Sequence, residues 1–295
     1  MRAALWFLAA IFGTLLLASL VAWPVWLVAH ALVPEWPFHR IVSRFWQLLL
    51  LAGLLVALRG LGLRGREDWG YGLSRPVFLR QFAAGLAIGI ATMLPMSFAM
   101  GALGIYSLNP DFGSGMLLGA IGSGALAGLA VALLEETFFR GLMYRAVARE
   151  SGFGFAAWST ALVYSAIHFL ARARVPADEV AWDSGIRLLG SALANFAEPF
   201  AIADSFVTLV LVGLLLAIVR QRTGSIAVGI GLHMGWVCVI KATTTVTRVQ
   251  TESSASFLVS SFDGYTGWLV AGWAALLIGA AWIAGWRRRD PAAAR

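Results

Sequence analysis

The sequence is poor in cysteine, in lysine and in charge of either sign. Cys238 is its single cysteine, so no disulfide can form within the chain and a multi-cysteine metal site is excluded. Only 13% of the 295 residues are charged and 60% are hydrophobic, whereas a soluble domain has about 25% charged and about 45–50% apolar residues. This composition provides too little polar surface to cover a water-soluble globule, so we predict an integral membrane protein.

The net charge of +7 comes almost wholly from arginine. The 22 basic residues include one lysine, Lys241, and are opposed by 15 acidic residues. Such an excess would suggest nucleic-acid binding in a soluble protein, but in a membrane protein basic residues gather on cytoplasmic loops. We therefore predict the lipid bilayer as a partner and no nucleic acid.

The apolar stretches recur at about the 20 residues that a helix needs to cross a bilayer. Strands of a membrane barrel would alternate over segments of about 10 residues, so the pattern predicts an all-α polytopic bundle, organised as a single integral membrane domain over residues 1–295. The eight predicted spans are residues 4–32, 41–63, 78–106, 115–134 with a polar extension to about 150, 154–171, 205–219, 225–240 and 267–286.

Arginine residues concentrate in every second connection between the predicted spans and at the C-terminus, where Arg287, Arg288 and Arg289 follow the last span. Because positively charged loops stay in the cytoplasm, the pattern predicts that both termini are cytoplasmic. The connection that contains Asp111 is then predicted to lie on the opposite side of the membrane.

Small residues recur at four-residue spacing within the predicted spans. In lipid, such residues allow two helix backbones to approach closely. We therefore expect helix contacts at three pairs, which are Gly85 and Gly89, Gly119 and Ser123, and Gly124 and Gly128.

Four ionisable residues interrupt apolar helices, namely Glu135, Glu136, His168 and His233. A charge near the bilayer centre costs roughly 2.5–3.5 kcal/mol on insertion scales, so such residues are rare and are typical of functional sites. At 1.5 Å per residue, Glu135, His168 and His233 lie about 22, 21 and 15 Å from their cytoplasmic helix ends. Three helices of alternating direction thus bring these residues to similar depth, which predicts a shared intramembrane site.

Helical spacing separates the roles of the two glutamates. Glu136 and Arg140 are four residues apart and share a helix face, whereas Glu135 is rotated by about 100°. We expect Arg140 to pair with Glu136, either as an ordinary structural ion pair or as part of the site. Glu135 is then left for another task.

A glutamate and two histidines admit two hydrolytic chemistries. A glutamate beside a histidine can take a proton from water and deliver it to a leaving amine. Alternatively, Glu135, His168 and His233 match the ligand set of a hydrolytic zinc ion, with the nucleophilic water in the open position. The sequence contains no His-Glu-x-x-His pair, which disfavours the familiar zinc-protease arrangement. We therefore predict no cofactor, with zinc as the alternative.

Three motifs together resemble the CPBP family, the CAAX protease and bacteriocin-processing intramembrane proteases that are also called the Abi family. The motifs are Glu135-Glu136-x-x-x-Arg140, Tyr164-x-x-x-His168 and, in a later helix, Gly231-Leu232-His233. The similarity covers about residues 115–243, the predicted protease core. It implies a fold resembling the type II CAAX prenyl endopeptidase and hydrolysis of a peptide bond in a peptide or membrane-protein substrate.

The resemblance also implies a role for each residue of the motifs. Glu135 and His168 would activate the attacking water. Glu136 and Arg140 would order the site, and His233 would stabilise the oxyanion. The implied protein is an endopeptidase of the bacterial type in the cytoplasmic (inner) membrane.

Two positions depart from the family pattern. Tyr164 stands where the family usually has phenylalanine, and Val237 replaces an asparagine that helps to hold the oxyanion. A second function stays open, that of a non-catalytic transporter or immunity-type membrane protein. In such a protein the same glutamate and histidine residues would relay protons or bind a ligand.

Overall fold

The computed structural model describes residues 2–170 and 174–283, and for residues 54–60 it describes the backbone alone. Most of this length is helical, and each of the two strands has three residues. The elements in chain order are α1 (Arg2–Leu20), α2 (Ala22–Leu32), α3 (Phe38–Gly60), α4 (Arg75–Ala102), β1 (Tyr106–Leu108), α5 (Ser114–Glu135), a π-helical segment (Glu136–Met143), α6 (Tyr144–Leu170), α7 (Ser184–Ala194), α8 (Pro199–Thr223), α9 (Ala227–Val246), β2 (Thr247–Val249) and α10 (Trp268–Ile283).

Five helical runs in the described residues are long and apolar enough to cross a membrane. They are Arg2–Leu20, Arg75–Ala102, Ser114–Leu170, Pro199–Thr223 and Ala227–Val246, while α2 and α10 are apolar but shorter. The chain is therefore a multi-pass membrane protein built from helices, and the predicted count of eight spans is not confirmed. Three parts of these predictions lie outside the described residues, namely residues 171–173, the last three residues of the predicted span 267–286, and the arginines at 287–289.

The predicted first span, 4–32, is wrong as a single helix. α1 ends at Leu20 and α2 begins at Ala22, with Val21 in a non-helical conformation between them. The cause is Pro24, which has no N–H to donate to the carbonyl of Leu20 and whose ring would clash with that carbonyl.

The helical run Ser114–Leu170 agrees closely with two predicted spans, 115–134 with its extension to about 150 and 154–171, which contain the first two motifs. It is broken at Gly152, whose backbone has φ 76° and ψ 175°. This positive φ is accessible to glycine without the steric cost that a Cβ would bring. The chain therefore leaves one helical stretch near residue 151 and starts the next near residue 153, as the boundary between 150 and 154 predicts.

Two predictions about the second half of the chain need correction. The predicted connection 172–187 contains the start of α7, an 11-residue helix that the apolar pattern did not reveal. The predicted span 205–219 is part of the 25-residue α8. Asp204 is the polar residue in the additional turns before residue 205, and its carboxylate accepts a hydrogen bond from Ser260 Oγ in the loop before α10 at 3.1 Å.

A small antiparallel ribbon joins the ends of α4 and α9 and was not predicted. Tyr106 of β1 lies opposite Val249 of β2. The ion pair between Arg248 and Asp111, at 2.6 Å, connects the ribbon to the following loop. This places the connection after α4 at the same end of the bundle as the C-terminal end of α9.

The helix α9 is held by backbone contacts on two sides. A Cβ on Gly85 or Gly89 of α4 would lie 2.3 or 2.5 Å from a carbonyl oxygen of α9, so these positions require glycine. On α5, a Cβ at Gly124 or Gly128 would meet α9 at 3.1 Å. Two of the three predicted small-residue contacts are therefore present, whereas a Cβ on Gly119 would meet no atom within 4 Å in the described residues.

Candidate active site

The first motif lies in the π-helical segment that links α5 to α6. A π turn widens the helix by one residue and leaves backbone groups poorly paired, and such turns occur frequently at functional sites. The carbonyl oxygen of Arg140 accepts a hydrogen bond from Nε of the buried Arg220 of α8 at 3.0 Å. The loop before α4 also reaches this segment, because a Cβ on Gly141 would lie only 2.6 Å from the carbonyl oxygen of Trp69.

Glu136 and Arg140 form a completely buried ion pair. Nη1 of Arg140 donates to Oε1 of Glu136 at 3.1 Å, and both residues have a relative exposure of 0%. Nη2 of Arg140 donates to the carbonyl oxygen of Gly213 at 3.4 Å, and the guanidinium carbon lies 4.5 Å from the centroid of the Tyr164 ring. Breaking a buried pair of this kind by removing one partner costs about 3–5 kcal/mol, so this pair holds α8 and the π segment together.

His233 of α9 lies between the two carboxylates. Its Nδ1 is 3.3 Å from Oε1 of Glu136, and its Nε2 is 3.8 Å from Oε2 of Glu135. Since a carboxylate oxygen accepts, Nδ1 is the donor toward Glu136. Gly229, one turn earlier in α9, permits this approach because a Cβ there would lie 2.9 Å from Oε2 of Glu136.

Glu135 is the less enclosed of the two glutamates. Its side chain is 25% exposed, against 1% for Glu136, and its Oε2 has no hydrogen-bond partner among the described residues. Oε2 of Glu136 and Nε of Arg140 are also buried without a partner in the described part of the chain. Buried polar atoms of native proteins are normally paired with protein or water, so this cluster has unused capacity for a water molecule or for polar groups of a substrate.

His168 of α6 enters the cluster through Tyr164. Its Nδ1 lies 2.8 Å from the carbonyl oxygen of Tyr164, so Nδ1 carries the hydrogen and the neutral ring keeps a lone pair on Nε2. The Tyr164 ring centroid is 4.5 Å from that of His168 and 6.5 Å from that of His233. Tyr164 therefore packs between the two histidines, and its side chain also interacts with the Glu135 carboxylate.

The structure thus brings the predicted residues from three parts of the chain into one region. Glu135, Glu136, Arg140 and His233 are joined by short contacts. No direct hydrogen bond or ion pair joins His168 to Glu135 within the described residues. The three side chains named as alternative zinc ligands do not form a metal-binding group, since the described residues contain no cluster of three or more His, Cys, Asp or Glu side chains suited to a metal ion.

Three supporting features of the site escaped the sequence analysis. Gly229 is four residues before His233 and so shares its helix face, which is a signal that spacing alone could have provided. Arg220 follows the predicted span 205–219, where the arginine pattern indicates only a cytoplasmic helix end, yet it is buried against the π segment. The loop before α4 gave no signal at all.

That loop connects the site to the start of α9. The Tyr71 hydroxyl lies 2.7 Å from Oγ1 of Thr137, which itself donates to the carbonyl oxygen of Leu133, so Tyr71 is the donor to Thr137. Burial raises the pKa of Tyr71, which keeps this hydroxyl protonated. The carbonyl oxygen of Gly70 accepts hydrogen bonds from Ser225 Oγ at 3.0 Å and from Ile226 N at 3.2 Å. The loop therefore fixes the π segment relative to α9.

Comparison with protein families agrees with this geometry. Residues 117–239 match the family model described as Type II CAAX prenyl endopeptidase Rce1-like. The central segment of the chain, less than half of its length, is thus similar to this family. The matched residues lie within the predicted protease core, 115–243, and the resemblance to the CAAX protease family is confirmed. Searches of curated proteins and of solved structures gave no match.

The Rce1-like segment contains every residue of the three motifs, from Glu135 to His233. It also contains most of α5, the π segment, α6, α8 and the greater part of α9, which together build the cluster. The helices α1 to α4 and α10 lie outside the matched segment.

Proposed function

We propose that the protein is an intramembrane endopeptidase in which Glu135, with His168, activates the water that attacks a peptide bond. The observation that carries this proposal is the contrast within the glutamate pair. Glu136 is fully buried and bonded through Oε1 to Arg140 and His233, whereas the Glu135 side chain is 25% exposed and forms no ion pair with an arginine among the described residues. A general base needs a carboxylate that the attacking water can reach, which the partly exposed Glu135 provides.

The chemical steps follow from which atoms can donate and accept. Glu135 takes a proton from water, and the resulting hydroxide attacks the carbonyl carbon of the scissile bond. Nε2 of neutral His168 accepts the second water hydrogen and so orients the water. When the tetrahedral intermediate collapses, the protonated Glu135 returns its proton to the leaving amine nitrogen, which yields a carboxyl and an amine terminus.

His233 would stabilise the negative oxygen of that intermediate. Its Nδ1 hydrogen is directed at Glu136, so Nε2 can donate to the oxyanion when the ring is protonated. At that stage Glu135 holds the proton taken from water, so the cations of Arg140 and protonated His233 would balance the Glu136 carboxylate and the oxyanion. Such a balance matters in a low-dielectric site, because unpaired buried charges are costly.

The direct test is cleavage by the purified protein. We would incubate it, reconstituted in vesicles, with a farnesylated peptide ending in a Cys-aliphatic-aliphatic-X motif, with the same peptide unmodified, and with peptides of membrane-protein sequence. New termini would be identified by mass spectrometry, with Glu135→Ala protein as the control. Cleavage that requires Glu135 supports the endopeptidase, and the substrate set distinguishes lipidated from unlipidated targets.

Two outcomes of this assay would replace the proposal. The first outcome is a folded protein that cleaves none of the peptides, together with identical membrane proteomes in cells that express the wild-type and the Glu135→Ala protein. This outcome would favour the transporter or immunity-type function. Loss of cleavage on chelation, with recovery on adding zinc, would favour the zinc form with Glu135, His168 and His233 as ligands. The metal-free form predicts that chelators have little effect.

We further propose the inner membrane of a bacterium as the location, with both termini in the cytoplasm. The support is the alternation of arginine along the sequence. Reporter fusions after Asp111 and after Arg289 should then give opposite signals. Equal signals would contradict this orientation without affecting the chemistry of the site.

A further inference from the structure

A groove lies between α6, α8 and α10, apart from the catalytic cluster. Its volume is about 490 Å³, which is within the range of about 300–1,000 Å³ that is usual for small-molecule sites. Most of its wall is apolar and includes Leu214, Ile218 and Ile278. None of the motif residues lines it.

The groove is polar at one end only. Gln221 and Arg222, in the last turn of α8, line the end that lies beside the first turn of the helical stretch after Gly152. By the arginine pattern this end faces the cytoplasm. Trp158 and Trp282 flank the groove, and tryptophan is enriched where the hydrocarbon layer meets the headgroups.

The two polar residues have unused donors. Arg222 has no hydrogen bond or ion pair in the described part of the chain and is half-buried. Oε1 of Gln221 accepts from the Tyr144 hydroxyl, so the Gln221 amide nitrogen is the group left to donate. A guanidinium and an amide N–H at the mouth of an apolar groove are complementary to a phosphate that carries an acyl chain.

We propose that this groove binds one anionic phospholipid, with the phosphate on Arg222 and Gln221 and an acyl chain between α6, α8 and α10. The site is distinct from the proposed endopeptidase centre and does not depend on it. The groove borders the C-terminal end of α8. The same helix end contacts the π segment, because Arg220, two residues before Arg222, donates a hydrogen bond to the carbonyl oxygen of Arg140. Lipid binding should therefore stabilise the folded protein, since a ligand that binds only the native state raises its stability.

The test is thermal unfolding of the purified protein in an uncharged detergent, titrated with phosphatidylglycerol or with phosphatidylcholine of the same chains. Phosphatidylglycerol should bind about ten- to hundredfold more tightly, as expected for charge-assisted hydrogen bonds to an anion. Arg222→Ala should remove this preference. Arg75→Ala is the matched control, because Arg75 is an exposed arginine at another helix end predicted to be cytoplasmic, and it should keep the preference.

A second variant tests the acyl part of the site. A Cβ at Gly154 would meet no atom within 4 Å of the described structure, and Gly154 lines the groove. Gly154→Leu should thus fill the groove without disturbing the backbone and weaken binding of both lipids about tenfold or more. Unchanged lipid binding in Gly154→Leu would overturn the proposal.

The remaining outcomes also decide the question. An Arg222→Ala protein that keeps the wild-type preference would overturn the phosphate contact. Equal loss in Arg75→Ala would show a general effect of surface charge. A stabilisation by inorganic phosphate equal to that by phosphatidylglycerol would show an anion site and no lipid site.

Discussion

Glu135 and Glu136 are neighbours in the sequence, yet their surroundings differ completely. Glu136 is enclosed by Arg140 of the π-helical segment and by His233 and Gly229 of α9. Glu135 ends α5, its side chain is 25% exposed, and its Oε2 lies 3.8 Å from Nε2 of His233. The difference shows how one helix supplies both a structural ion pair and a candidate catalytic base, because residues one position apart point about 100° from each other.

The comparison predicts that the contacts of Glu136 contribute strongly to the free energy of unfolding. Arg140→Ala should have the largest effect, with a loss of about 3–5 kcal/mol of unfolding free energy, because the buried Glu136 carboxylate loses its cation. Little folded and active protein should remain. Chemical denaturation in detergent measures this loss. Arg145→Ala, which removes a half-exposed pair with Asp68, should cost about 1 kcal/mol or less, and equal losses in both variants would contradict the structural role.

The opposite prediction applies to the Glu135 side. His168→Ala should lower turnover by about 10²–10⁴-fold, the usual contribution of an acid–base group, while leaving the unfolding transition near that of wild type. The variant Glu135→Gln/His168→Ala should be little worse than the worse single variant, because residues that act on one water are not additive. Turnover of a cleaved peptide is the measurement. Losses that multiply would show that the two residues act separately.

Gly229→Ala should move Glu136 without removing it. The added methyl carbon would lie 2.9 Å from Oε2 of Glu136, so the carboxylate must shift away from α9 and from His233. We expect overpacking to cost about 1–3 kcal/mol and turnover to fall by about tenfold or more. Gly119→Ala, at a position with open space, is the control and should leave turnover unchanged. A fully active Gly229→Ala protein would show that the Glu136–His233 contact is dispensable.

Val237→Asn should have the smallest effect. Val237 lies one turn beyond His233 and packs against Gly128 on α5. A Cβ added at Gly128 would lie 3.2 Å from the Cβ of Val237. An amide of similar size should fit there, and turnover should stay unchanged or rise because an N–H donor is added near the oxyanion position. A folded but inactive Val237→Asn protein would show that this face of α9 must be apolar.

The sequence predicts those parts of the site that depend on spacing within one helix. The pairing of Glu136 with Arg140 follows from their separation by four residues, and so does the different direction of Glu135. Such features need no knowledge of neighbouring helices. The break at Val21, which Pro24 causes, is equally local, but the continuous apolar run led to the wrong prediction of one span over residues 4–32.

Other parts depend on contacts between distant segments and were not predictable from one sequence. His233 reaches both carboxylates only because α9 is held close to α4 and α5 by glycine contacts. The π turn, the contact of Arg220 with Arg140 O, and the bond from Tyr71 to Thr137 arise where separate elements pack together. Periodicity within a helix carries no information about these pairings.

The most direct test of the account is the turnover and stability of Glu135→Gln beside Glu136→Gln. Both variants keep the shape of the side chain and remove one negative charge. The account predicts that Glu135→Gln unfolds like wild type but loses peptide cleavage, whereas Glu136→Gln loses cleavage together with stability. A Glu135→Gln protein that cleaves peptide at the wild-type rate would contradict the assignment of Glu135 as the base.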